Sequence, residues 1–196
     1  MKRFTRHALY YTLALLSGLS LTGMLALGGN SQPVERLSPQ SIAQQQSSAQ
    51  SRSDWQLFNN STYRISLGYP KNWKDATTDG FSGTDGFRGS NGFLKLGAMN
   101  AESLQAGCES NAQHRLQPFG SNPQVQQLRV QRQPACLILP SADQVPDANG
   151  MAALIVRYPQ PVRINNDFYR FFVLWADKTH IRDLAATLRF MPKTSN

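Results

Sequence analysis

The sequence predicts an α+β domain, an antiparallel sheet flanked by helices. Three observations predict it. Ala152 to Tyr158 and Phe168 to Ala176 are near-continuous apolar runs, rich in β-branched and aromatic residues, with Asn165-Asn166-Asp167 before the second. Such runs joined by turn chemistry read as an antiparallel hairpin, and apolar residues on both faces place it centrally in its sheet. A helix then follows, with Thr179 as its cap and Ile181, Leu184, Ala185 and Leu188 at helical spacing. Pro192 stops its return.

From the start, the first thirty residues differ from the rest. Lys2, Arg3, Arg6 and His7 precede an uncharged, mostly apolar stretch from Ala8 to Gly29. A basic start before an apolar segment reads as a secretory signal. Ala26 and Gly28 supply small residues at −3 and −1 for cleavage near Gly28; the alternative is an uncleaved anchor crossing a membrane once through residues 8–29. Asn30 to Ser53 is Gln- and Ser-rich and buries too little to order itself, so residues 30–53 read as a linker and 54–192 as the folded domain. The formal charge is +8. Three basic residues and no acidic ones lie in the first thirty, which leaves 17 basic against 12 acidic residues, or +5. That excess is scattered, so it predicts a solvated surface and no nucleic-acid partner.

Within the domain, Trp55, Leu57 and Phe58 lead into a strand over Tyr63–Tyr69, where Tyr63, Ile65, Leu67 and Tyr69 alternate with smaller or polar residues. Pro70 ends it, and Trp73 folds back on the core. Overlapping glycosylation sequons lie at Asn59 and Asn60. Asp79-Gly80-Phe81, Asp85-Gly86-Phe87 and Asn91-Gly92-Phe93 recur every six residues. They predict tight hairpin turns whose phenylalanines pin short strands to one face. A phosphate or calcium loop is the competing reading, but no Gly-Lys-Ser/Thr and no closing Glu is present. Phe93–Met99 reads as a strand. Asn100 caps a helix over Ala101–Leu116, with Leu104, Cys108, Ala112 and Leu116 on one drifting face. Val125–Val130 and Ala135–Leu139 are two further strands around a turn at Gln131–Pro134, and Pro140–Gly150 is a polar loop.

The chain's two cysteines, Cys108 and Cys136, both follow the export segment. An oxidising compartment and an inward-facing helix position predict a Cys108–Cys136 disulfide. It would close a loop of about 28 residues, worth roughly 3–4 kcal/mol.

Tyr63 to Trp73, with its Tyr69-Pro70-Lys71-Asn72-Trp73 element, resembles the Tyr-Pro-x-x-Trp opening of PsbP-like domains. Those domains also close with a helix and an apolar strand-like tail, as Ile181 to Phe190 would. A closer similarity is to an exported bacterial domain of uncharacterised function, sometimes joined to TolB-type propellers. The residues that carry it are Asp85-Gly86-Phe87, Cys108, His114 to Asn122, Ala135 to Ile138, Pro140 to Gln144 and Leu174 to Lys178. It covers roughly Leu57 to Phe190. The resemblance implies a PsbP-like αβα sandwich with no established activity, and no photosystem role is carried across.

Chemistry is sparse. There is no HExxH, no CxxC, no G-x-S-x-G and no S-x-x-K, so no cofactor or metal is expected. The disulfide removes both thiols as nucleophiles. The candidate binding residues are His114, Ser121, Asn122, Ser141, Asp143 and Gln144, on loops that a rigid scaffold would hold; turn and cap roles are the plainer account of them. The expected function is a non-enzymatic accessory or binding domain outside the cytoplasm, in periplasm, lumen or medium. Its expected partner is a protein of the cell envelope, with membrane contact only if the N-terminal segment is retained. The alternative is an unfamiliar extracytoplasmic hydrolase using His114 with Asp143 or Asp177.

Overall fold

The computed structural model describes residues 53–76 and 85–192. All fall in the second of two compact units, Gln40–Asn196. The segment expected to act in export (1–29), the expected linker up to residue 52 and the first Asp-Gly-Phe lie outside the described residues.

Among the described residues, ten strands and two α-helices follow in order: β1 (Trp55–Asn60), β2 (Ile65–Pro70), β3 (Lys74–Asp75), β4 (Gly86–Gly89), β5 (Gly92–Met99), α1 (Leu104–Ala112), β6 (Gln124–Val130), β7 (Gln133–Leu139), β8 (Met151–Ile164), β9 (Asp167–Asp177), α2 (Ile181–Thr187) and β10 (Arg189–Phe190). Seven strands form one sheet in the order β3-β4-β5-β9-β8-β7-β6, and β1-β2-β10 form a second. Every pairing is antiparallel. The class is α+β, and the hairpin β8–β9 is central, as its two-faced apolar pattern requires.

The alternation along β8 and β9 feeds two cores. Leu154, Val156, Phe172 and Leu174 meet Ile65 and Leu67 of β2 and Ile181 and Leu184 of α2. Ile155 and Val173, on the opposite face, meet Cys108 and Ala112 of α1. One helix therefore covers one face, and α2 with the small sheet covers the other. Each such buried Leu, Ile, Val or Phe side chain contributes about 1.5–3 kcal/mol. Cys108 and Cys136 form the expected disulfide, with Cα atoms 6.4 Å apart, tying α1 to β7.

Several local expectations are corrected. β8 does not end at Tyr158. It runs through Pro159 and Pro161, and the register with β9 slips between Arg157 and Val162. The prolines lie in that slip, where no ladder pairing needs their missing N–H. Helix α1 is shorter than Ala101–Leu116. Ser103 caps it through a bond from Ala106 N, while the Asn100 side chain pairs with the backbone of Phe168 and Arg170 on β9. It stops at Ala112, which leaves Leu116 71% exposed. At α2 His180 occupies the cap position, not Thr179, and makes no side-chain cap bond.

The lead-in Trp55–Asn60 is itself a strand, an edge whose weak alternation hid it. Gly86 and Phe87 lie inside β4 rather than in a turn; the hairpin turn is Ser90-Asn91, between paired Gly89 and Gly92. The phenylalanines also part company. Phe87 stacks on Tyr69 at 4.1 Å in the α2-side core, whereas Phe93 pairs across the strands with Arg88, whose guanidinium lies 5.3 Å from its ring. The β6–β7 turn is two residues, Gln131 and Arg132, both left-handed, so β7 begins two residues earlier than Ala135. Asn60 of the sequons is buried, its amide donating to Asp85 and its carbonyl accepting from Tyr63 N. Among the described residues, no helix is long and apolar enough to cross a membrane.

Candidate functional site

Five of the six sequence-nominated residues come together. The loop after α1 turns through Gly120, left-handed at φ +82°, and lies against the loop after β7. Ser141 N donates to Phe119 O at 2.9 Å, and its hydroxyl donates to Asp143 at 2.5 Å. Asp143 also accepts from Ser121 N at 3.2 Å, and Asn122 N donates to the Ser141 hydroxyl at 3.3 Å. Gln144 donates to the carbonyls of Pro118 at 2.6 Å and Met151 at 2.9 Å. The side-chain hydrogen bond from Ser121, then that from Ser141 and the Ser121 N–H, hold the Asp143 carboxyl down at about 2. The arrangement clasps two loops together and orients a charged group at the surface. His114 stands outside it: the residue is exposed, and its ring accepts from Leu116 N at 3.2 Å.

A second constellation escaped the sequence reading. Asp177, at the end of β9, is only 7% exposed. Its carboxylate accepts from His180 Nδ1 at 2.7 Å, from the Thr179 hydroxyl, from the N–H groups of Thr179 (3.2 Å) and His180 (3.1 Å), and from Phe93 N at 3.1 Å. Burial works to raise this carboxyl, but the hydrogen bonds from Thr179, His180 and Phe93 outweigh it and hold the carboxyl below its ordinary value. The Asp177-x-Thr179-His180 order before a helix is an Asx-turn pattern, the one signal that could have found it. The histidine bonded to Asp177 is thus His180, not His114. Trp73 packs its ring against His180 at a centroid distance of 5.1 Å and donates its indole N–H to Asn91 at 2.9 Å.

These residues stand between two open clefts. One, of about 590 Å³, is lined by Trp55, Lys71, Asn72, Asn91, His180 and Asp183. The other, of about 420 Å³, includes Asn91, Asn149, Asp177, Lys178 and Thr179. With Nδ1 held by a carboxylate, the neutral imidazole keeps its proton there and leaves Nε2 as an acceptor. Trp55 also shares a face of β1 with Leu57, which is 65% exposed.

The fold and these sites define an α+β domain with an antiparallel sheet between two covering layers and loop-built polar sites at its edges. No family model matches the chain, and no curated protein matches it either. Two solved structures are similar in arrangement. The cyanobacterial PsbP (CyanoP) of Synechocystis sp. PCC 6803 aligns at 12% identity over 70% of this chain and 92% of its own, with a TM-score of 0.41. The Ran-binding protein Mog1p of Saccharomyces cerevisiae aligns at 9% identity over 71% and 97%, with a TM-score of 0.42. Likeness at that level carries no partner or activity across.

Proposed function

We propose that this is a non-enzymatic binding domain acting outside the cytoplasm, which presents the cleft beside Trp73 and His180 to a protein partner in the cell envelope. The observation that carries the reading is the cleft's construction. Its wall is fixed from behind by the buried Asp177 network, while the half-buried Trp55 lines it and the neighbouring, exposed Leu57 adds apolar surface at its edge. Rigid support behind an aromatic anchor with a polar rim is the usual anatomy of a protein-binding surface. The Cys108–Cys136 disulfide supports an oxidising compartment, as does the basic-apolar N-terminal segment.

A photo-crosslinking residue at Asn72 of the full-length protein should trap a discrete envelope protein, and one at Gln127, on the far edge strand, should not. Equal or absent adducts at both positions would overturn the reading. The Asp177–His180 pair supports a second reading, hydrolysis with His180 as the base, in place of the pairing with His114. Hydrolytic activity lost in His180→Gln, with the Asn72 adduct retained, would favour it.

A further inference from the structure

We propose a second, separate site: the cleft of about 340 Å³ between Arg64 and Tyr158 binds a small organic carboxylate with an apolar body. The volume falls within the range of small-ligand pockets, which are mostly apolar with a few placed polar groups. Here the apolar walls are Val162, Phe190, Met191 and prolines, and the polar groups are Arg64, Tyr158 and Gln160.

The two principal groups are both donors. Tyr158 is 3% exposed, with its ring packed 5.3 Å from Phe190 and 6.2 Å from Phe172. Its hydroxyl is the one buried side-chain polar atom among the described residues that lacks a hydrogen-bond partner. Buried polar groups of folded proteins are almost always paired, so an orphan of this kind points to something that completes it. Burial, then the charge of Tyr63, raises this phenol far above its ordinary value against the opposing effect of Arg64, so it stays a neutral O–H donor at physiological pH.

Arg64 is held in place beside it. Its backbone is left-handed, φ 52°, a conformation a long side chain rarely adopts. Two contacts hold it there: Met191 N donates to Arg64 O at 2.9 Å, and Arg64 Nη2 donates to Met191 O at 3.3 Å. A guanidinium has five N–H donors, and among the described residues this one uses a single long bond. One fixed cation, one neutral hydroxyl donor and, among the described residues, no lining carboxylate match a monoanionic carboxylate, and the proline and aromatic walls match an apolar body. A phosphate dianion would leave charge uncompensated. The carboxylate can belong to a free organic acid or to the end of a polypeptide.

The test uses the full-length protein, NMR shifts of Val162, Phe190 and Met191, and four probes: benzoate, benzamide, N-acetylphenylalanine and its amide. Both acids should shift these signals saturably, and both amides should bind at least tenfold more weakly. Tighter binding of N-acetylphenylalanine than of benzoate assigns a polypeptide end; the reverse assigns a free acid. Tyr158→Phe keeps the ring packing and removes only the hydroxyl. It should fold with undiminished thermal stability yet lose at least tenfold in affinity, and Arg64→Gln should lose affinity by at least the same factor. No saturable shift, equal binding of acids and amides, or unchanged affinity in both variants would overturn the site. So would a loss of stability in Tyr158→Phe, which would show that the hydroxyl already has a partner.

Discussion

Gly92→Ala is a sharp test of the Asp177 constellation. Gly92 opens β5, and its backbone is not left-handed, so the cost of a side chain there is one of contact alone. A Cβ at that position would press on Asp177 Oδ2 and stand 2.7 Å from Trp73 Cζ2 and 2.8 Å from His180 Nδ1. None of these is the loose end of a flexible chain, because Asp177 has its donors and Trp73 its bond to Asn91. Overpacking of this kind costs about 1–3 kcal/mol. Moving Asp177 away from Phe93 N or His180 adds about 1–3 kcal/mol for a group left unpaired. A combined loss of about 2–6 kcal/mol, at a urea slope of about 2 kcal/mol/M, lowers the unfolding midpoint by roughly 1–3 M. Tryptophan fluorescence during urea titration reads this directly. Gly150→Ala is the control. There φ is +69° and the nearest contact, Lys178 Cγ, is 3.8 Å away, so only backbone strain of about 1–2 kcal/mol is expected. If Gly92→Ala costs less than Gly150→Ala, the buried network does not brace the cleft.

Three other outcomes follow from the fold. Reducing the Cys108–Cys136 bond, which spans 28 residues, should lower stability by about 3.6 kcal/mol in the chain-entropy model; urea curves that coincide with and without reductant would refute it. Asp143 has a folded value of about 2 against an ordinary 3.8, so its contribution is complete above the ordinary value and is lost as pH falls toward 2. Carboxyl carbon NMR should find its midpoint near 2, and Asp143→Asn should remove that part of the acid dependence. Leu154→Ala, at a fully buried position, should cost about 2–5 kcal/mol by calorimetry or urea, whereas Leu116→Ala should stay within about 0.5 kcal/mol.

Much of the fold was legible because the central hairpin is apolar on both faces, a pattern that leaves few other placements. The disulfide was legible for a different reason: two cysteines leave one intramolecular pairing. Local bonding was less visible. Asn100 has the chemistry of a helix cap, and a strand 68 residues later claimed its amide instead. Thr179 bonds locally instead, to Asp177 two residues before it. The clasp of Ser121, Asn122, Ser141, Asp143 and Gln144 was within reach because loop residues of this type flank rigid elements. Asp177 is legible as a candidate acid but its bonding is not, since Phe93 N, one of its donors, lies 84 residues away and carries no side-chain signature. Trp73 and Asn91 share that problem of long range.

The bridge from α1 to β7 has a consequence for survival among proteases. Residues 108 to 136 form a covalent ring, and its rim carries the exposed Arg115, Arg129 and Arg132. A trypsin-like enzyme that cuts after any of these opens the ring without parting the molecule. Both pieces stay bolted at the cysteines, each packed against the same sheet. Scission alone would therefore change the number of chain ends but not the number of particles, until a reductant arrives to release them.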